Sequence, residues 1–121
     1  MMEMMVILIM PLVLTILIEL GVLLLMGERQ RRILWASVMI NVLTNVPLNL
    51  ILFIFGADYM AVIVGEIVVV VVEALWYYAF LRKWKKALVY SVLCNVISFL
   101  SGLLLLLLFM MFLHSYYLIN S

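Results

Sequence analysis

Four apolar runs of about twenty residues, broken by three short polar connections, decide what this chain can fold into. The runs extend from about residue 4 to 26, 33 to 55, 59 to 81 and 87 to 113. A helix needs roughly 20 mainly apolar residues, at about 1.5 Å of rise each, to cross the hydrocarbon of a bilayer. The chain has 121 residues, 71% hydrophobic and 11% charged. So small a domain has too little interior to hide that excess from water, so the excess is expected to face lipid. The sequence predicts an all-α membrane protein: a single domain over residues 1–121, folded as an antiparallel four-helix transmembrane bundle. The connections are Gly27-Glu28-Arg29-Gln30-Arg31-Arg32, Gly56-Ala57-Asp58 and Arg82-Lys83-Trp84-Lys85-Lys86. Their shortness leaves no room for a soluble domain or a catalytic loop and makes consecutive helices neighbours.

All seven basic residues fall in the first and third connections. Under the positive-inside rule, loops 27–32 and 82–86 are expected to be cytoplasmic, with both termini and the Asp58 turn outside a plasma (inner) membrane. Trp35, Trp76 and Trp84 lie near the same boundary, where aromatic rings anchor helices. The first span is expected to be retained, because Met1-Met2-Glu3 carries no positive charge and the apolar run exceeds a signal-peptide core. A net charge of +1 gives no case for nucleic acid. The expected surroundings are the lipid bilayer, with a homo-oligomer or a partner membrane protein as further company.

Chemistry can reside only in the polar residues inside the spans, since ionisable groups there are costly and turn toward the bundle interior. Thr15 and Glu19 are four apart; Asn41, Asn45 and Asn49 step by four; Glu66 and Glu73 are seven apart; Ser91, Asn95, Ser98 and Gly102 step by four, three and four. Each set occupies one helical face. Measured from the middle of each span, Glu19, Asn41, Glu73 and Asn95 fall on one level, roughly 4–7 Å toward the basic loops. Glu66 and Asn49 fall roughly 6–8 Å on the other side, with Asn45 near the centre. The spans contain three carboxyl groups and no Lys, Arg or His. Each Glu must then be kept as the neutral acid, satisfied by amide and hydroxyl donors, or neutralised by a bound cation.

Glu19, Asn41, Glu73 and Asn95 are therefore the candidate cation- or proton-binding site, with Asn45, Asn49 and Glu66 as its outer approach. No cofactor is implied beyond a bound cation. Oxygen ligands suit Na⁺, Mg²⁺, Ca²⁺ or Mn²⁺ better than softer metals. The lone Cys94 excludes an internal disulfide, and the lone His114, at the far end of the chain, excludes a Ser-His-Asp or Cys-His set. No Gly-rich phosphate loop or HExxH motif is present. Pro47 is expected to kink the second span, and Gly21, Gly65 and Gly102 to permit close helix approach.

In size, four spans and a carboxylate in the first of them, the chain resembles the small multidrug transporters, but it adds Glu66 and Glu73 and segregates its basic residues completely. The seven-residue step from Glu66 to Glu73 resembles prokaryotic diacylglycerol kinases, but Val69 stands where their intervening Asn is expected, and they have three spans. No family follows from either resemblance. The residues point first to binding or translocation of a small cation or protons. The alternatives are an interaction subunit or assembly factor whose polar stripe pairs with a partner helix, and an intramembrane lipid-modifying enzyme with Glu66 and Glu73 as acid and base.

Overall fold

In a computed structural model, which describes residues 1–56 and 58–121, the chain is 91% helical. Ala57, in the second predicted connection, lies outside the described residues. Four helices follow in order: α1 (Met2–Leu25), α2 (Arg31–Phe55), α3 (Tyr59–Leu81) and α4 (Trp84–Asn120). Each is long and apolar enough to cross a membrane.

The expected spans lie within these helices, save for Met26 at the end of the first, with the largest difference in α4. It starts three residues early and continues to Asn120, giving 37 residues or about 55 Å. Nothing in His114-Ser115-Tyr116-Tyr117 breaks a helix, so the backbone ladder continues past residue 113, the expected end of the fourth span. Arg31, Arg32, Lys85 and Lys86 also lie in the first turns of α2 and α4, which shortens the two basic connections. Both prolines, Pro11 and Pro47, sit inside continuous helices.

Local chemistry sets the ends. At the end of α1 the Gly27 N–H donates to Leu24 O and the Glu28 N–H to Leu23 O. This paired closure needs a left-handed residue, supplied by Gly27 at φ 90°. Arg29 adds a guanidinium hydrogen bond of 2.8 Å to Leu24 O. Asp58 caps α3 by accepting from the Ala61 N–H at 2.6 Å.

The helices form a ring in which α1 packs on α2 and α4, and α3 packs on α2 and α4. Links between the first and third connections put all seven basic residues at one end. Arg32 donates to Phe80 O at 3.3 Å, and Tyr90 and Lys86 of α4 both reach Glu28. The packed core lies at this basic end, where Val22, Leu23, Ile33, Tyr77, Ala87, Tyr90 and Cys94 are buried together. Most of the bundle's outer face is exposed Val, Leu, Ile, Met and Phe. Of the three glycines expected at close approaches, only Gly65 has a neighbour, the Leu48 side chain; Gly21 and Gly102 face open space.

Candidate functional site

A single hydrogen-bonded chain joins all four helices just beyond the packed core. From α2, the Asn41 amide donates to Glu19 Oε2 of α1 at 2.5 Å. Asn45 donates to Asn41 Oδ1 at 3.0 Å. Also from α2, the Thr44 hydroxyl donates to Glu73 Oε1 of α3 at 3.1 Å, and Asn95 of α4 donates to Glu73 Oε2 at 2.6 Å. A longer 3.4 Å link from Asn45 to Thr44 Oγ1 connects the two halves. The order across the bundle is Glu19, Asn41, Asn45, Thr44, Glu73, Asn95.

Exposure is 0% for Glu19, Asn41 and Glu73 and 7% for Asn95. Both asparagine amides are further fixed by their own helices, Asn41 donating to Ser37 O and Asn95 to Ser91 O, each at 2.8 Å. The Ser91 hydroxyl ties α4 to α3 through Val70 O at 2.6 Å. The four residues assigned to one level thus meet as two carboxyl–amide pairs rather than as a ring of oxygens. The amides present nitrogen to the carboxyls, so Asn41 and Asn95 serve as hydrogen-bond donors in this arrangement. Among the described residues no group of three or more His, Cys, Asp or Glu side chains is arranged to hold a metal ion.

The outer-approach residues line a half-open cavity of about 280 Å³, with Thr15, Asn45, Asn49, Glu66, Asn95 and Ser98 as its polar wall and Pro11, Phe99, Gly102, Leu103 and Leu106 as its apolar one. Asn45 and Asn95 belong both to this cavity and to the buried chain, so its polar wall is hydrogen-bonded directly to the two buried pairs. A second cavity of about 370 Å³ lies in the groove between α3 and α4, against Val62, Ile67, Val70, Val96 and Leu100. The two share Glu66, Asn95 and Phe99. Glu66 is therefore reached from the polar cavity and from the apolar flank, whereas Glu73 lines neither.

Sequence reasoning missed two participants. Thr44 was visible as a polar residue on the α2 face but was not placed with Glu73. Ser37, whose carbonyl accepts from Asn41, was overlooked, although it continues the α2 stripe by one turn, four residues before Asn41. Glu28 also acquires a role. Its Oε1 accepts from the Arg29 and Gln30 N–H groups at 3.0 and 2.9 Å, its Oε2 accepts from Tyr90 at 2.8 Å, and Lys86 Nζ stands 3.7 Å away. Burial alone would push this carboxyl up, but the backbone donor of Gln30, the Tyr90 hydroxyl, the Lys86 charge and the Arg29 N–H together hold it below the usual carboxylate range. Comparison with known protein families, curated proteins and solved structures returns no match.

Proposed function

We propose that this is a small integral membrane protein that binds and translocates protons or a small cation through Glu19 and Glu73. Residues 1–121 form one domain; the basic loops 27–32 and 82–86 face the cytoplasm, and both termini face outside. The observation that carries this reading is the buried chain from Glu19 to Asn95, with Asn45 and Asn95 at its boundary with a polar cavity. Ions arriving from outside meet Glu66 and Asn49 in that cavity, then the two asparagines, then the carboxyls. The packed core at the basic end supports an outward-open resting state, closed toward the cytoplasm by Leu23, Ile33, Ala87 and Tyr90. Translocation then requires those side chains to part.

A second reading, an interaction subunit or a homo-oligomer, draws on α4. From Leu103 to Asn120 every side chain except that of Leu113 is exposed, and the helix outlasts its neighbours. The enzymatic reading is less well supported, because both oxygens of Glu73 are occupied and only Glu66 reaches the lateral groove.

The deciding experiment places the purified protein in liposomes with a trapped pH dye and imposes a gradient of H⁺ or of an alkali cation. Wild type is expected to pass ions, and Glu73→Gln and Glu19→Gln to fall to the protein-free background while retaining helicity. Undiminished flux in both variants overturns the proposal.

A further inference from the structure

A groove of about 380 Å³ runs between α1 and α2 at the basic end, lined by Leu20 and Leu24 of α1 and by Arg31, Leu34, Trp35 and Val38 of α2. The α1 pair is four residues apart and the α2 set steps by three, one and three, so each wall is one helical stripe. None of these residues belongs to the Glu19–Asn95 chain or to the two cavities beside Glu66. Five of the six are apolar or aromatic, and the sole charge stands at one end, in the first turn of α2. Val38 lies about 10 Å along the helix from Arg31. In a bilayer the groove therefore begins at headgroup level and descends into hydrocarbon, with Trp35, 67% exposed, beside its entrance as an interfacial ring.

The three arginines of the first connection are not equivalent. Arg29 donates to Leu24 O at 2.8 Å and to Glu28 O at 3.1 Å. Arg32 donates to Phe80 O at 3.3 Å and lies 5.9 Å over the Phe80 ring. Arg31 makes no side-chain hydrogen bond or ion pair among the described residues. Glu28, the one acidic residue in the two basic connections, is already engaged by Tyr90 and Lys86. A guanidinium fork matches the oxygens of a phosphate in pairs. A phosphate by itself needs no apolar wall, and an acyl chain by itself needs no guanidinium; the groove matches a molecule that carries both. Seven basic residues at this end set the charge of that molecule, because they attract an anionic headgroup and repel the ammonium of a zwitterionic one.

We propose that the α1–α2 groove binds one anionic phospholipid, with its phosphate on Arg31 and an acyl chain between the leucines of α1 and the Leu34–Val38 stripe of α2. Bound there, the lipid bridges from outside the two helices that the Asn41–Glu19 hydrogen bond joins inside. The site requires only that the helices lie in a bilayer, so it stands or falls independently of ion passage.

Native mass spectrometry tests it on the full chain, released from detergent micelles that carry phosphatidylglycerol or phosphatidylcholine with the same acyl chains. The spectra count bound lipids and give the dissociation constant of the first. Wild type is expected to hold its first phosphatidylglycerol about fivefold more tightly than phosphatidylcholine, equivalent to about 1 kcal/mol. Arg31→Gln is expected to bring the two lipids within about twofold of each other. Lys85→Gln removes the same charge from α4, outside the groove, and is expected to keep the preference. Val38→Phe retains every charge while filling the groove, and is expected to weaken phosphatidylglycerol; should Arg31→Gln fail to fold, this variant decides. A wild type without preference overturns the proposal. Equal losses in Arg31→Gln and Lys85→Gln also overturn it, by showing diffuse attraction to the basic end, and unchanged binding in Val38→Phe does so by showing that a headgroup is held without its chain.

Discussion

At the basic end of the bundle Leu23, Ile33, Tyr77, Ala87 and Cys94 reach 0% exposure, whereas beyond the Glu19–Asn95 chain Val69, one turn past Glu73 on α3, is the one described residue that is buried. The same four helices thus run from a packed end into a loose one. The difference follows the side chains. The tight end alternates aromatic rings with small residues such as Ala36, Ala74, Ala87 and Ser91, and these let Tyr77 and Tyr90 meet edge to face at 5.8 Å. The loose end meets across Thr15, Asn49, Glu66 and Ser98, whose short or polar side chains leave a cavity. In lipid, helix association depends on packing and hydrogen bonds rather than on the hydrophobic effect. The tight end therefore supplies most of the cohesion, and the loose end contributes little.

The largest expected effect tests this division directly. Leu23→Ala removes a fully buried side chain from the tight end and is expected to cost about 2–4 kcal/mol in reversible unfolding from mixed micelles. Leu103→Ala, at a position 44% exposed in the other half, is expected to cost less than about 0.5 kcal/mol. Equal losses at the two sites would erase the distinction.

Glu28 offers the next largest effect, because it pins the α1–α2 connection to α4 at the tight end. Glu28→Ala is expected to cost about 2 kcal/mol, the scale of hydrogen bonds to a charged group. Its pH dependence has a definite sign. The folded carboxyl titrates below the usual value of 4.5, so its stabilisation is fully present above that pH and is lost as pH falls through the lower folded value. A melting curve of wild type should decline below about pH 4.5, and Glu28→Gln should flatten that part of the decline. A decline of the same size in the variant would assign acid sensitivity to other groups.

Length and composition made the four helices legible, since an unbroken apolar run leaves few alternatives. The predicted third span, 59–81, coincides with α3, where Asp58 caps the start and Arg82 follows the end. The end of α4 was not legible. His114 and the tyrosines resemble a membrane-interface tail by composition, and nothing local tells whether the helix stops there. Within the site, depth along the spans put Glu19, Asn41, Glu73 and Asn95 on one level, and the structure joins them as two hydrogen-bonded pairs, Asn41 with Glu19 and Asn95 with Glu73. The direction of the amides was hidden, because spacing places a side chain on a face without saying which atom it presents. Glu28 was read only as part of a loop, because the Tyr90 hydroxyl that fixes it lies 62 residues away.

The smallest expected effect probes the loose end by filling it. Gly102 lines the polar cavity, and a Cβ built there has no atom within 4 Å. Glycine inside a helix is less stable than alanine by roughly 0.5–1 kcal/mol because it loses more backbone freedom on folding. Gly102→Ala should therefore raise the unfolding free energy by about that amount while intruding slightly on the cavity. Gly65→Ala provides the contrast, since its Cβ would meet the flexible tip of Leu48 and displace it, offsetting part of the same backbone gain. A stabilised Gly102→Ala with slower ion flux would show that the open space serves passage at the expense of stability. If stability falls instead, the loose end is packed in the membrane by something other than this chain's own four helices, and a second copy or partner helix becomes the first object to seek.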